Sequence, residues 1–319
     1  MVGLTLQGVE AIKAAPSAEY AAMLIEEYGL VRECVPTQFL NEPVVWEALL
    51  NLGMPLTAMI RNLGKMSSIG VLRPNTKHTK MVCDQLRDKE ALAKQRIHPF
   101  NVLLALTTYS AGKGVKGSLQ WNPVSQVCDA LEDAYDASFG SVEPTGKRYL
   151  VGIDVSGSMR FDTISNTHLT PADAAGCMAT TLVRTEEQVA CFAFCHHLKP
   201  MPITKRSSLT EVRRLTQDAA WGGTDCALPM IYAMENKIPV DVFCIYTDND
   251  TNSHSGHPSV VLQEYRRKMG IDAKMIVVAF TANRVSIADP NDAGMMDVVG
   301  FDAGAPKVMA DFARQNPHY

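Results

Sequence analysis

The sequence predicts two domains of different classes: a helical-repeat domain followed by an α/β domain with a doubly wound parallel sheet. Three observations support this prediction. The chain has 319 residues, which is enough for about two domains. Apolar residues recur at helical spacing through residues 1–143, whereas short apolar runs alternate with amphipathic segments through residues 144–319. The pattern changes within the turn-forming segment at 142–147, where we place the domain boundary.

The first domain is predicted to contain short helices in series, joined by short loops, as in helical solenoids. Ser17 and Gly29 provide start and stop signals for one helix, and Pro55 opens another. The last helix is predicted to be capped by Asn122, with Pro123 in its first position. The other helices are predicted over residues 37–52, 76–93 and 99–109.

The second domain is predicted to alternate strands with helices. Its strands are apolar throughout, which is typical of a parallel sheet covered on both faces. Strands are predicted over residues 148–153, 188–194, 240–247, 274–280 and around 298–301. Helices are predicted over residues 170–185, 208–219, 257–269 and 305–314.

Oxygen-bearing side chains follow the predicted strands at the edge where parallel sheets bind ligands. Asp154, Ser156 and Ser158 come directly after the first strand, and Asp248 follows a later strand. Thr224 belongs to a glycine-rich turn that precedes a helix. Hydroxyl groups with few carboxylates suit Mg²⁺ better than zinc. The sequence therefore predicts a divalent-metal site suited to Mg²⁺; a capping loop without metal is the alternative.

This constellation resembles the metal-ion-dependent adhesion site of von Willebrand factor A domains, which have a Rossmann-like fold. The resemblance implies that Ser156, Ser158 and Thr224 coordinate the metal directly. Asp154 and Asp248 would act mostly through water. One coordination position would remain open for a carboxylate from a protein partner that the sequence does not identify.

Two helical segments, Met-Pro-Leu-Thr-Ala-Met-Ile-Arg-Asn-Leu-Gly-Lys-Met at 54–66 and His-Pro-Phe-Asn-Val-Leu-Leu-Ala-Leu-Thr-Thr-Tyr-Ser at 98–110, resemble the TROVE module. With the A domain, the whole chain resembles the Ro autoantigen family of ribonucleoproteins. The resemblance implies HEAT-like repeats that bind small cytoplasmic Y RNAs and the single-stranded ends of misfolded non-coding RNAs, for RNA quality control. It also implies a monomer in the cytoplasm and the nucleus. The family's helical ring is longer, so the resemblance implies that amino-terminal repeats are missing.

The net charge of −4 conceals one strongly basic segment. Residues 61–117 contain eleven Lys and Arg but three acidic residues, a local net charge of +8. Such a segment attracts RNA phosphates, although solvated helix faces are the alternative interpretation. His78 and Tyr109 could stack on unpaired bases, with ordinary packing as the simpler role. The predicted RNA-binding residues are Arg61, Lys65, Lys77, Lys80, Arg87, Lys94, Arg96, Lys113 and Lys116.

Several function classes are disfavoured. No apolar run is long enough for a membrane span, and the start of the chain lacks the features of a signal peptide. The scattered cysteines are typical of reduced, buried thiols, and a zinc site at Cys191 and Cys195 has no second ligand pair. We do not predict an enzyme, because His254 and His257 are the only candidate bases for the serines and belong to a polar loop. The alternative function is a metal-dependent protein interaction module without intrinsic RNA binding.

Overall fold

The computed structural model describes residues 2–217, 223–248, 255–280, 287–300 and 304–315. The chain forms two compact units, Met1–Ser141 and Val142–Tyr319. The first described unit is helical, and the second combines helices with a six-stranded sheet. These classes confirm the predicted fold. Within the described residues, no helix is both long enough and apolar enough to cross a membrane.

The helices of the first unit are short and follow one another closely. They are α1 (Val2–Lys13), α2 (Ala18–Tyr28), α3 (Pro43–Asn51), α4 (Leu56–Ser68), α5 (Lys77–Arg87), α6 (Lys89–Lys94), α7 (Pro99–Ser110) and α8 (Ser125–Ser138). The predicted start and stop signals of α2 are confirmed. The Ser17 side chain accepts a hydrogen bond from the backbone of Tyr20, and Gly29 has the left-handed conformation that ends many helices.

Three helix predictions for this unit need correction. The segment 37–52 divides into a 3₁₀ turn and α3, because Pro43 lacks an N–H group and begins a new helix. The segment 76–93 divides at Asp88, whose side chain caps α6. Asn122 and Pro123 do not begin the last helix. Val124 is its N-cap, and the Val124 N–H donates instead to the Tyr109 hydroxyl group.

A short hairpin between α7 and α8 carries two of the predicted RNA-binding lysines. Lys113 pairs with Gln120, and the Gly114 N–H donates to the carbonyl of Leu119 at 2.8 Å. The base of the hairpin is fixed by Trp121, whose indole N–H donates to the Tyr109 carbonyl at 2.9 Å. The Trp121 ring lies against α4, where a Cβ atom on Gly64 would approach it to 2.7 Å.

The second unit contains one sheet with helices on both faces. The strands are β1 (Arg148–Asp154), β2 (Gln188–Phe194), β3 (Leu198–Pro200), β4 (Val242–Thr247), β5 (Lys274–Ala279) and β6 (Met295–Val299). Their order across the sheet is β3-β2-β1-β4-β5-β6, and β3 alone is antiparallel to its neighbour. Apolar core clusters cover both faces of the sheet. The described residues thus form the expected doubly wound architecture.

The helices of the second unit connect these strands. They are α9 (Ser158–Phe161), α10 (Pro171–Thr185), α11 (Leu209–Gln217), α12 (Leu228–Glu235), α13 (Pro258–Met269) and α14 (Ala305–Arg314). The predicted bounds of β2 are confirmed, and those of α10 and α13 differ by a residue. The sequence interpretation missed β3, α9 and α12, which are short, and the long α1 of the first unit. Short segments of this kind give little periodicity.

The contact between Gly64 and Trp121 predicts a large effect of one methyl group. Alanine favours helix formation over glycine by about 1 kcal/mol, but crowding a packed aromatic ring costs about 1–3 kcal/mol. Gly64→Ala should therefore lower the unfolding free energy of the first unit in urea titrations. Gly140→Ala is the matched control, because a Cβ atom at Gly140 meets no atom within 4 Å. Equal stability of the two variants would contradict the packing argument.

Candidate functional site

The predicted metal site lies at the carboxyl ends of two neighbouring central strands, β1 and β4. The chain connections from these strands run toward opposite edges of the sheet. β1 and β4 are parallel neighbours although β2 and β3 come between them in sequence. After β1 the chain continues to β2 on one side of β1, and β4 begins the other side of the sheet. In open α/β sheets, such a switch in direction generally leaves a ligand-binding crevice at the carboxyl ends of the two strands. Asp154 ends β1, and Thr247 ends β4 next to it.

Asp154 is completely buried at this position. One carboxylate oxygen accepts a hydrogen bond from the backbone N–H of Ser156 at 2.8 Å. The other accepts from the hydroxyl group of Thr247 at 2.9 Å. Thr247 is a site residue that the sequence interpretation did not single out. Its signal was a hydroxyl residue at the last position of an apolar strand, immediately before Asp248.

Burial controls the chemistry of the Asp154 carboxyl group. Loss of hydration raises its pKa to about 7, although the hydrogen bonds from Ser156 and Thr247 act in the opposite direction. The nearby negative charge of Asp248 raises the pKa further. A bound cation would therefore favour the charged form of Asp154.

The predicted hydroxyl ligands lie at the same edge of the sheet. The hydroxyl oxygens of Ser156 and Ser158 are 3.2 Å apart, and Ser158 is exposed to solvent. Thr224 and Asp248 are both buried. The neighbouring Asp225 holds the Thr224 loop in place, because its backbone N–H donates to the carbonyl of Cys195, directly after β2. The five predicted metal-site residues therefore all belong to the loops at this edge.

The donor set fits a hard divalent cation. In the described part of the chain, no group of three or more His, Cys, Asp or Glu residues is arranged to hold a metal. A cation at the crevice would therefore depend on serine and threonine hydroxyl groups together with the carboxylates of Asp154 and Asp248. Oxygen donors of this kind suit Mg²⁺ or Mn²⁺ and not zinc held by thiolates.

The other chemistries considered from the sequence gain no support. Cys191 and Cys195 are buried free thiols, and burial raises the pKa of Cys191 to about 12, which disfavours the thiolate that zinc requires. The Nδ1 atom of His257 lies 2.7 Å from the Ser259 hydroxyl oxygen. His254 lies outside the described residues.

The predicted RNA-binding residues occupy several separate surfaces of the first unit. Lys77, Lys80 and Arg87 line an open groove of about 530 Å³ between α5 and α8. The groove also contains Asp84 and Asp129. These acidic side chains reduce the positive potential that the sequence average suggests. The lysines remain exposed on the groove surface.

Arg87 and Lys65 already have polar partners. The Arg87 guanidinium donates to the Asp133 carboxylate at 2.7 Å, and Lys65 donates to the Asn41 side chain at 2.6 Å. The remaining members of the set are exposed and lie on α4, on or after α6, and on the hairpin: Arg61, Lys94, Arg96, Lys113 and Lys116.

Neither aromatic candidate for base stacking is fully exposed. Tyr109 is buried, and its hydroxyl group contacts the Ser67 hydroxyl and accepts from the Val124 N–H. His78 is half-buried beside Glu47. Tyr109 therefore has the packing role that was the simpler interpretation.

The doubly wound sheet, with hydroxyl and carboxylate groups at its switch point, defines a von Willebrand factor A domain that follows a helical TROVE domain. The family model for the "Ro60 vWA domain" matches residues 148–313, and the TROVE domain model matches residues 23–108. The chain belongs to the Ro60 family.

Full-length relatives show the same similarity. The chain is 44% identical to RNA-binding protein RO60 of Caenorhabditis elegans and 43% identical to RNA-binding protein RO60 of Deinococcus radiodurans. These matches cover 94% and 92% of the chain, and 46% and 55% of the two relatives. The chain thus spans about half the length of these curated relatives.

A solved structure confirms the fold. The crystal structure of the Deinococcus radiodurans RO (RSR) protein superposes with a TM-score of 0.91 at 41% sequence identity. The match covers 97% of this chain and 62% of that protein.

The burial of Asp154 predicts how pH and metal affect stability. Because the folded pKa of about 7 exceeds the ordinary value of about 3.9, the residue's contribution to stability is present at low pH and is lost as the pH rises through 7. In EDTA at pH 8, Asp154→Asn should therefore have a larger unfolding free energy than the wild type, by up to about 4 kcal/mol, and a higher melting temperature. The difference should decrease toward pH 5.

Magnesium should reverse this order, because a ligand that binds the folded state stabilises it by mass action. At pH 8, Mg²⁺ should raise the melting temperature of the wild type and leave Asp154→Asn unchanged. Differential scanning fluorimetry measures both effects. If Asp154→Asn were instead less stable than the wild type in EDTA at every pH, the charge of Asp154 would not destabilise the metal-free protein.

Proposed function

We propose that this chain binds RNA through its helical unit and a protein partner through a divalent-metal site in its A domain. Membership of the Ro60 family carries the proposal, and the relatives' names describe RNA-binding proteins and not enzymes. The exposed lysines of the first unit provide a physical basis for RNA binding, because Lys and Arg side chains neutralise phosphates and release counterions. The proposed function is therefore binding without catalysis.

The proposed ligands are Y RNAs and the single-stranded ends of misfolded small non-coding RNAs, consistent with a role in RNA quality control. A phosphate-based surface suits such ligands because it does not depend on a particular base sequence. The groove lysines Lys77 and Lys80 and the hairpin lysines Lys113 and Lys116 are the strongest candidates, since each is exposed. Arg87 should contribute less, because Asp133 already neutralises part of its charge.

The groove proposal predicts a salt-dependent loss of affinity. The double variant Lys77→Glu/Lys80→Glu should weaken binding of a structured RNA with a single-stranded 3′ tail by at least about tenfold at moderate salt. The slope of log affinity against log salt should fall by about 1–2, because two phosphate contacts are lost. Filter binding at several salt concentrations measures both quantities.

Two controls make this experiment specific. Lys13→Glu changes an exposed lysine of the same unit that is paired with Glu10 and lies outside the basic segment. Arg87→Gln tests whether pairing with Asp133 lowers the contribution of a groove cation. Unchanged affinity and salt slope in the double variant would exclude the groove as the RNA surface.

In the A domain, we propose that Ser156, Ser158 and Thr224 coordinate Mg²⁺, with Asp154 and Asp248 supporting it. A bound divalent cation would supply an electrophilic position for a carboxylate from a partner. The chain's own contribution is to hold the hydroxyl oxygens close together: Ser156 and Ser158 are 3.2 Å apart, and Thr247 fixes the Asp154 carboxylate between β1 and β4. This arrangement, and the fit of its oxygen donors to a hard cation, support the assignment.

A metal-dependent interaction module without RNA binding is the second candidate function. The acidic residues in the groove, Asp84 and Asp129, favour it, because they weaken the attraction for phosphate.

RNA affinity and the Mg²⁺ response, each measured with Thr224→Ala and with EDTA, distinguish the two candidate functions. If the helical unit binds RNA independently, neither treatment should change RNA affinity by more than about twofold, while the Mg²⁺-dependent rise in melting temperature should disappear. A chain with no measurable RNA affinity, but with an intact Mg²⁺ response, would support the second candidate alone.

A further inference from the structure

The second unit also contains a basic segment, which follows its second strand. Residues 188–217 contain five Lys and Arg and one acidic residue, Glu211, a local net charge of +4. In the part of the chain that the structure describes, four of these basic side chains are exposed and form no ion pair with an acidic side chain. They are Lys199, Lys205, Arg206 and Arg214.

Lys205 and Arg206 occupy the middle of a tight turn that does not depend on their side chains. The Ser207 N–H donates to the Thr204 carbonyl at 3.1 Å, and the Thr204 N–H donates to the Ser207 hydroxyl at 3.1 Å. The backbone N–H of Arg206 donates to the Thr204 hydroxyl at 3.2 Å. The turn therefore presents two adjacent cations on a backbone that is already ordered, which lowers the entropic cost of binding.

Two arginines fix this turn and the following helix to α10. Arg184, near the end of α10, donates to the Ser207 carbonyl at 2.9 Å. From there α11 runs back along α10, and Arg213 pairs with Asp173 near the start of α10 at 3.2 Å. These half-buried arginines have a packing role, whereas Arg214, the next residue of α11, is exposed.

The four exposed cations lie on one side of the sheet. Lys199 in β3 is directly opposite Ala193 in β2, and directly opposed residues point to the same face of a sheet. Ala193 packs against the core cluster that contains residues of α10 and α11. Met201 and Ile203, which lead from β3 to the basic turn, are buried in the same cluster. The cations therefore surround the α10–α11 face and not the opposite face, which α12 and α13 cover.

This basic turn and the candidate metal site lie at opposite ends of α10. The helix leads from the carboxyl edge of the sheet, after β1, to the amino edge, before β2. Asp173 and Arg184 are eleven positions apart in α10, which corresponds to about 16 Å along the helix axis. A ligand at the basic turn therefore does not need the metal site.

The composition of this surface fits a phosphate polymer better than a protein or a membrane. Among the described residues between 162 and 259, no large hydrophobic side chain is exposed. Protein interfaces usually have an apolar centre, and surfaces that insert into membranes carry apolar side chains beside the basic ones. Cations without apolar neighbours are instead suited to the RNA backbone, whose phosphates they neutralise whatever the base sequence.

We propose that the A domain has its own RNA-backbone-binding surface, separate from the surface proposed for the helical unit. Its basic turn, Lys205 and Arg206, is the centre of this surface, and Lys199 and Arg214 extend it along β3 and α11. This inference extends the proposed RNA binding to the second unit, and it rests on RNA being a ligand of the chain.

A pair of charge reversals in the whole chain tests the proposal. Lys205→Glu/Arg206→Glu should weaken binding of a structured RNA with a single-stranded 3′ tail by at least about fivefold at moderate salt, and should lower the slope of log affinity against log salt by about 1–2. Arg267→Glu/Lys268→Glu is the matched control, because it reverses two adjacent exposed cations of α13, on the opposite face of the sheet. The control should change affinity by less than about twofold. Equal losses in the two variants would show an effect of net charge alone and would overturn the proposal.

A neutral variant and a cross-linking measurement keep the test independent of folding. Lys205→Gln/Arg206→Gln should retain the wild-type melting temperature, since the turn is held by other groups, and should still lose part of the affinity and of the salt slope. RNA labelled with 4-thiouridine should cross-link to peptides from residues 199–214 of the wild type, as identified by mass spectrometry. Wild-type affinity in the neutral variant, together with no cross-link in this segment, would overturn the proposal.

Three outcomes distinguish this inference from the proposed function. If Lys77→Glu/Lys80→Glu weakens RNA binding and Lys205→Glu/Arg206→Glu does not, the groove of the helical unit stands and the inference is rejected. The reverse result would support the inference and reject the groove. If phosphatidylserine vesicles bind the wild type but not Lys205→Glu/Arg206→Glu, while both bind RNA equally, the surface recognises lipid and the inference is overturned.

Discussion

The second unit is organised around one unfavourable feature, the buried carboxyl group of Asp154. Burying a charged group in a protein core is costly unless hydrogen bonds or an opposite charge compensate. Ser156 and Thr247 each donate one hydrogen bond, and they tie the ends of β1 and β4 to the same side chain. These bonds do not offset the loss of hydration, since the pKa stays raised to about 7. A cation bound beside Asp154 would remove the remaining cost.

The proposed sites of the chain differ in their surface chemistry. The basic segment belongs to the helical unit, where its cations are distributed over a groove and a hairpin and partly paired with acids. The A domain instead brings hydroxyl and carboxylate groups together at one edge of its sheet. The proposed phosphate-binding surface and the proposed carboxylate-binding site therefore use different groups of the chain. This separation is why RNA binding and metal-dependent partner binding can be tested independently.

The local parts of the site were predictable from sequence, and the parts that depend on packing were not. Asp154, Ser156 and Ser158 form one loop after an apolar strand, and the rule that parallel strands share a carboxyl edge brought Thr224 and Asp248 to it. Thr247 was missed because its hydrogen bond to Asp154 joins residues 93 positions apart. The prediction that Asn122 caps the last helix was wrong, because the N-cap is Val124. The backbone N–H of Val124 donates a hydrogen bond to the hydroxyl group of Tyr109, a contact with another helix that the local sequence does not reveal.

The central claim is that the Asp154 crevice holds a divalent cation, and a crystal of the chain grown with Mn²⁺ tests it most directly. Anomalous difference density locates manganese without assumptions about the protein. The account predicts one peak at about 2.1–2.3 Å from the hydroxyl oxygens of Ser156 and Ser158, with Thr224 completing the protein ligands. In Asp154→Asn crystals this peak should be lost or strongly reduced. Density for manganese elsewhere, with none at this crevice, would contradict the account.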